Sequence, residues 1–163
     1  MVGDARISKE VELVTVELAQ LNGTCNCFAL RKASRYLTAA YDQALAPTGL
    51  RATQFTMLQK IASARDLSVT ELAEIIAMDR TTLATNLKPL AKAGLVRVEP
   101  SERDRRRKVI HITPEGLRRF EEALPLWSEA QTKFEHNFGT EEAADLRRLL
   151  GSVLGTGFDP WAP

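Results

Sequence analysis

Residues 68–116 read SVTELAEIIAMDRTTLATNLKPLAKAGLVRVEPSERDRRRKVIHITPEG, and the order of signals in this stretch decides the fold. Ser68 and Glu71 form an S-x-x-E capping box, in which each residue satisfies a free backbone donor of a first helical turn. Val69, Leu72, Ala73 and Ile76 follow at helical spacing. Only Ala77-Met78 separates this helix from Asp79, itself a favoured N-cap type. The next helix turns Leu83, Leu87 and Leu90 inward and ends at Gly94, which suits a left-handed C′ position. Two short helices joined by so tight a turn read as a helix-turn-helix, a pattern that an α-hairpin in any bundle shares.

The residues that follow separate the two readings. Leu95 to Glu99 alternates apolar and charged residues, as an edge strand does, and Val109, Ile110 and Ile112 suit a returning strand. Between them lies an arginine-rich tip: residues 97–108 hold six Arg or Lys against three Asp or Glu. Thr113-Pro114-Glu115 then opens a long helix, with Thr113 as N-cap and Pro114 where its missing N–H costs nothing. That helix extends to about Asn137, with a kink expected at Pro125. A bend is likewise expected near residues 85–89, because Pro89 cannot donate to the Thr85 carbonyl.

Outward from this core the pattern is helical. A helix is expected from about Asn26 to Leu45, with Leu30, Ala33, Leu37, Ala40, Tyr41 and Ala44 on one face, Lys32, Arg35 and Asp42 elsewhere on its surface, and Pro47 and Gly49 as its stop. A second runs from about Thr53 to Ala64 and buries Phe55, Leu58, Ile61 and Ala62. A last helix covers about Glu141 to Leu154, with Ala144, Leu146, Leu149, Leu150 and Val153 as its apolar positions. The fold class is mainly α with a small β-hairpin wing: a winged helix-turn-helix core over 51–113, helical dimerisation regions over 24–50 and 114–156, a weakly patterned lead-in over 1–23, and a tail over 157–163. Phe120, Leu124, Trp127, Phe134, Phe138, Leu146, Leu149 and Leu150 exceed what a small winged module buries alone, which implies a second subunit.

Composition narrows the function. The chain has 163 residues and a net charge of only +1, so a nucleic-acid site must be a local basic patch. No apolar run approaches the length of a membrane span, and the charged N-terminus is not a secretory signal, so the expected location is the cytoplasm. G-x-S-x-G, H-E-x-x-H, the P-loop and the Rossmann glycine pattern are all absent. A Cys27–His111 nucleophile is an enzyme on paper only, and the reading is of a non-enzyme. His111 and His136 stand alone, without the His/Cys/Asp/Glu density of a metal site, and no cofactor is expected.

The helix after the tight turn presents Arg80, Thr81, Thr82, Thr85, Asn86 and Lys88 on its outer faces. Such side chains suit a major groove: Asn pairs both edges of adenine, Thr offers a methyl to thymine, and Arg reaches phosphate or guanine. Arg103, Asp104, Arg105, Arg106, Arg107 and Lys108 form the wing tip, and an arginine there fits a narrow minor groove. Asp104 is expected to accept hydrogen bonds from Arg106 and fix its guanidinium. A two-fold dimer then reads a near-palindromic duplex with half-sites roughly 34–36 Å apart. The rival reading is a winged helix used for protein contact without DNA.

Leu72 to Gly116 resembles the core of the MarR family of winged helix-turn-helix regulators. Leu95-Val96 after Ala93-Gly94 matches its G-L-V strand entry, and Asp104, Arg106, Thr113 and Gly116 match its wing pattern D-x-R-x₆-T-x-x-G. The resemblance implies that Arg106 is the minor-groove residue with Asp104 as its partner, that the terminal helices form a dimer, and that the molecule answers a small aromatic acid, an oxidant or a metal. Cys27-Phe28-Ala29-Leu30 resembles the surroundings of the sensing cysteine in the organic-hydroperoxide branch, and Tyr41 falls where that branch has a supporting tyrosine. The chain departs from the branch at Arg31, where the branch has a second tyrosine, although an arginine can itself lower a thiol pKa. Cys25 is the local resolving thiol of this reading, with partner cysteines across the dimer as the other option; a small buried apolar role for Cys27 is the structural alternative. A ligand pocket lined by Tyr36, Tyr41, Phe55 or Trp127 is the other sensing mode, and a repressor released by ligand or oxidation is the expected behaviour.

Overall fold

The computed structural model describes residues 23–64, 66–101 and 104–157. The lead-in through residue 22, Arg103, and the tail from residue 158 lie outside the described residues. The chain divides into two compact units, residues 1–40 and 41–163.

Helix α1, Asn26–Leu45, supplies all of the first unit's described structure apart from the three residues before it. Cys25 caps it, its Sγ accepting the Phe28 N–H at 3.4 Å. Of the expected apolar face, Leu30, Ala33 and Ala40 are exposed and Leu37, Tyr41 and Ala44 are half-buried; Phe28 and Tyr36 are exposed as well.

The second unit opens with the end of α1, where Leu45 is fully buried. A 3-10 turn, Ala46–Thr48, and Gly49 at φ 71° redirect the chain. Helix α2, Ala52–Ala62, starts under Asp42, whose carboxylate accepts the Ala52 N–H at 2.7 Å and an Arg51 guanidinium N–H at 2.9 Å. Asp42, expected elsewhere on the surface of its helix, thus also binds the first turn of the following helix, whose N-cap is Arg51. Strand β1, Leu67–Ser68, leads into α3, Val69–Ile75, and a short turn into α4, Arg80–Lys92. Strands β2, Val96–Pro100, and β3, Lys108–Ile112, form the wing. Helix α5, Pro114–Phe138, and α6, Thr140–Val153, close the described chain.

The sheet is three-stranded and antiparallel, in the order β1-β3-β2. The hairpin alone was legible in the sequence; β1 is two residues long, too short to show a period. It pairs Leu67 with Ile110 and Ser68 with Val109. Across the wing Val96 faces Ile112, Val98 faces Ile110 and Pro100 faces Lys108. Pro100 ends the outer strand, where a missing donor leaves no ladder bond unmade.

The core lies under the helix-turn-helix. Leu72 and Ala73 from α3, Leu83, Leu87 and Leu90 from α4, Leu95, Val96 and Ile110 from the sheet, and Phe55, Met57, Leu58 and Ile61 from α2 are all buried together. Two expectations for alanine fail. Ala62 is exposed while Met57 is buried, and Ala144 is exposed while Ala143 is buried. Alanine carries too little apolar area to mark the inward face by itself. Phe120 and Trp127, expected at a subunit interface, stack on Phe55 at centroid distances of 5.0 and 5.7 Å and pack, half-buried, against this core. Helices α4 and α5 run through Pro89 and Pro125 without a break in either element.

The junction between wing and α5 explains the spacing T-x-x-G. The Thr113 Oγ1 accepts the Gly116 N–H at 3.0 Å and donates toward the Gly94 carbonyl at 2.6 Å, while the Thr113 N–H donates to the Leu95 carbonyl at 3.0 Å. A Cβ on residue 116 would stand 2.0 Å from the Leu95 oxygen, a backbone atom that cannot swing away. Gly116→Ala should therefore destabilise the fold by at least the roughly 1–3 kcal/mol typical of overpacking, measured by denaturant unfolding; an unchanged midpoint would show that this junction is slack.

Candidate nucleic-acid interface

Helix α4 is oriented by its leucines and leaves a polar face outside. Arg80, Thr81, Thr82, Thr85 and Lys88 are exposed, and Asn86 is half-buried. The turn before it is held by backbone bonds from Ile76, Ala77 and Met78 to the carbonyls of Leu72, Glu74 and Ala73. Ala77 takes φ 51° there, the sole described non-glycine residue at positive φ, a left-handed conformation that costs an L residue roughly 1–2 kcal/mol. Asp79 caps α4 by accepting the Thr82 N–H at 2.9 Å, and hydrogen bonds from Thr82 hold its carboxyl below the usual aspartate value.

Two of the expected base-reading side chains are turned back onto their own helix. The Thr85 hydroxyl donates to the Thr81 carbonyl at 3.0 Å. The Asn86 amide donates to the Thr82 carbonyl at 2.9 Å and lies 3.8 Å from the Met78 sulfur. An adenine contact uses the amide as both donor and acceptor, and one of the two amide N–H donors of Asn86 is engaged with Thr82.

The wing loop closes on itself through the Ser101 N–H to the Arg107 carbonyl at 2.7 Å and the Arg107 N–H to the Asp104 carbonyl at 2.9 Å. Asp104 does engage Arg106, but through the backbone: the Arg106 N–H donates to Asp104 Oδ1 at 3.0 Å. The carboxylate thus shapes the turn and leaves the guanidinium exposed. Arg105, Arg106 and Lys108 are exposed and make no ion pair among the described residues.

Arg107 behaves differently from its neighbours, because its guanidinium is bound to Glu71 Oε2, the carboxylate of the α3 capping box. The same oxygen accepts the Ser68 N–H at 2.9 Å and the Ser68 hydroxyl at 2.8 Å. The Ser68 backbone first, its hydroxyl next and Arg107 after them hold the Glu71 carboxyl down to about 2. The capping box is visible in the sequence. Its second partner, thirty-six positions downstream, is not.

Of the sensing candidates, Cys25 and Cys27 are both exposed free thiols, and Arg31 Nη2 lies 3.6 Å from Cys27 Sγ. The buried apolar role considered for Cys27 does not hold in the folded chain. Phe55 is buried in the core and stacks with Phe120 and Trp127. The Tyr41 hydroxyl donates to Gln131, whose amide donates to Glu135 at 2.7 Å; Arg147 meets the same Glu135 oxygen at 2.8 Å. Burial foremost, and the Glu135 charge after it, push the Tyr41 phenol above its ordinary value. Tyr36 is exposed. Among the described residues no group of His, Cys, Asp and Glu could hold a metal, and no helix is long and apolar enough to cross a membrane.

Comparison with known proteins agrees with this geometry. Residues 50–108 match the MarR family. The chain is 28% identical over 131 residues to the HTH-type transcriptional regulator MgrA of Staphylococcus aureus, covering 78% of this chain and 86% of that protein. It is 35% identical to the M. tuberculosis transcriptional regulator MosR solved in complex with DNA, with a TM-score of 0.71, 82% of this chain and 99% of that one covered. The repressor CouR bound to a 23-mer DNA duplex shares the fold at a TM-score of 0.75 and 21% identity, over 82% of this chain and 95% of its own. Regulators of this kind bind DNA and are not enzymes. On the wing, the T-x-x-G junction and these relatives together, the chain belongs to the MarR family of winged helix-turn-helix, DNA-binding transcription regulators.

Proposed function

We propose that this regulator is a cytoplasmic homodimer that reads a near-palindromic operator and acts as a repressor released by cysteine oxidation or by a small ligand. The observation that carries the DNA-reading part is the pairing, within one compact unit, of an exposed polar face on α4 with wing-tip cations Arg105, Arg106 and Lys108 that make no ion pair among the described residues. In this reading Arg80, Thr81, Thr82, Thr85, Asn86 and Lys88 enter the major groove, and Arg103, Arg105, Arg106 and Lys108 meet the minor groove and phosphates. Asp104 holds the turn that presents Arg106. Arg106→Ala should weaken operator binding and flatten the decline of log K with log salt by about 0.9 for each phosphate that the variant no longer neutralises, read by fluorescence anisotropy across a salt series. Changes at Thr85 or Asn86 should instead relax base preference, at about 1–3 kcal/mol per good base contact. Unchanged affinity in Arg106→Ala would remove the wing from the mechanism.

A second subunit is supported by apolar surface left open on one chain. Leu124 and Phe138 of α5 and Leu149, Leu150 and Val153 of α6 are exposed, as are Phe28 and Leu30 of α1. The proposed dimerisation regions are residues 24–50 and 114–156. Leu150→Glu should shift the species seen in sedimentation toward monomer and weaken operator binding with it; a wild-type chain that sediments as monomer at micromolar concentration overturns the dimer.

For the signal, the exposed Cys27 beside Arg31 supports a hydroperoxide. The Cys27 thiolate would attack the peroxide oxygen, giving a sulfenic acid and releasing an alcohol or water after protonation. A second thiol, Cys25 or a cysteine of the other subunit, would then condense with it, forming the S–S bond and releasing water. Organic hydroperoxide should lower operator affinity of the wild type, and dithiothreitol should restore it. Cys27→Ser should remove the response; a response that survives this change assigns the signal elsewhere, and a loss of affinity caused by aromatic acids alone would favour the ligand.

A further inference from the structure

We propose that Glu71 is a wing-positioning residue, clamping the return arm of the wing to the first turn of the helix-turn-helix and taking Arg107 out of the set of DNA-contacting cations. This rests on the DNA-binding reading above and adds a division of labour among wing residues that the sequence presents as equivalent.

The geometry converges on one carboxylate oxygen. Glu71 Oε2 accepts the backbone N–H and hydroxyl of Ser68 and the guanidinium of Arg107. Ser68 is 5% exposed, is the N-cap of α3, and pairs with Val109 across the sheet. Arg107 is the last residue before β3 begins at Lys108, and its carbonyl and N–H close the wing loop onto Ser101 and Asp104. The side chain of Arg107 is therefore anchored on α3 while its backbone defines the tip. Movement of the wing relative to α3 must break this ion pair or the loop bonds. The ion pair is partly exposed, with the two side chains 43% and 46% accessible, so its contribution lies in fixing an angle more than in global stability.

Charge places Arg107 apart from Arg105, Arg106 and Lys108. A guanidinium already bound to a carboxylate has less positive potential to offer a phosphate, and the Glu71 charge repels one brought close. The depressed Glu71 carboxyl keeps this arrangement ionised. Its contribution is complete above the ordinary glutamate range and is lost only as pH falls toward about 2, so no pH used for DNA binding releases the clamp.

The test is a double-mutant cycle on the full chain with Glu71→Gln, Arg107→Ala and both together. Glutamine still completes a capping box, so α3 is retained, and circular dichroism with thermal melting checks this. Each single change should weaken operator binding by roughly three- to fivefold, the scale of an exposed ion pair, with the salt slope unchanged. The double variant should be no weaker than either single one. Amide hydrogen exchange at Arg106 and Arg107 should quicken in all three variants, a readout that a merely stabilising residue would not move selectively. The proposal is overturned if Arg107→Ala lowers the salt slope by about 0.9, the signature of one phosphate left without its cation, while Glu71→Gln binds as well as or better than wild type. Wild-type protein that shows no salt-dependent binding to duplex would sink the DNA-binding reading instead, and unchanged wing-amide exchange in Glu71→Gln would separately sink the clamp.

Discussion

The first turn of α5 rests against the backbone that leaves α4, and that contact sets the geometry of everything built on it. With no Cβ at Gly116, the Leu95 carbonyl approaches to a distance that any side chain would forbid. Thr113 fills the remaining valences: it caps α5, and its hydroxyl and N–H reach the carbonyls of Gly94 and Leu95. The end of the recognition helix, the end of the returning strand and the start of the long helix are thus fastened within a few ångströms of one another. Their relative positions are thereby fixed by hydrogen bonds and close contact, as a module that presents a helix and a hairpin to a single duplex requires.

Beneath that junction the apolar core decides where α4 points. Leu83, Leu87 and Leu90 are buried against Leu72, Leu95, Val96 and Ile110, and full burial of each such side chain contributes about 1.5–3 kcal/mol. The ion pairs along α5, Arg118 with Glu115 and Glu122, are solvent-exposed and each is worth at most about 1 kcal/mol. The outer face of α4 consequently lies outside the apolar core, and substitutions of its exposed threonines and cations should have little effect on folding. The aromatic stack of Phe55 with Phe120 and Trp127 ties α2 to α5 in the same core. It packs two of the aromatics that the sequence suggested for a subunit interface, both half-buried, against the chain's own core.

What the sequence made legible was the part governed by local rules. Capping at Ser68, Asp79 and Thr113, the leucine period of α4 and the glycine stops each depend on residues within a turn of one another, and the structure places all of them as read. The hairpin followed from alternation over five-residue strands. The misses are long-range. Strand β1 has no period to display, and it is a strand only because Leu67 and Ser68 meet Ile110 and Val109. Asp42 looked like a surface charge because its partners, Ala52 and Arg51, lie across the turn that follows α1. Alanine positions were misassigned in α2 and α6 because a methyl group marks no face. The candidate site was legible as a set of residues and not as an arrangement: Asn86 and Thr85 face outward by period, yet spend their hydrogen bonds on their own helix.

The same distinction governs the charge of the wing. Counted by composition, residues 97–108 form one cationic block. In the folded chain the block is divided. Arg97 stands 3.6 Å from Glu99, Arg107 is held by Glu71, and Arg105, Arg106 and Lys108 remain without ion pairs among the described residues. A fully unpaired block would favour any phosphate backbone from many orientations, raising non-specific affinity along with the specific one. In the proposed complex, anchoring some of the cations on the protein would narrow the orientations in which the remaining ones meet DNA. Acidic residues near such a surface therefore need not oppose DNA binding: Asp104 shapes the turn that carries Arg106, and Glu71 joins that turn to the helix-turn-helix.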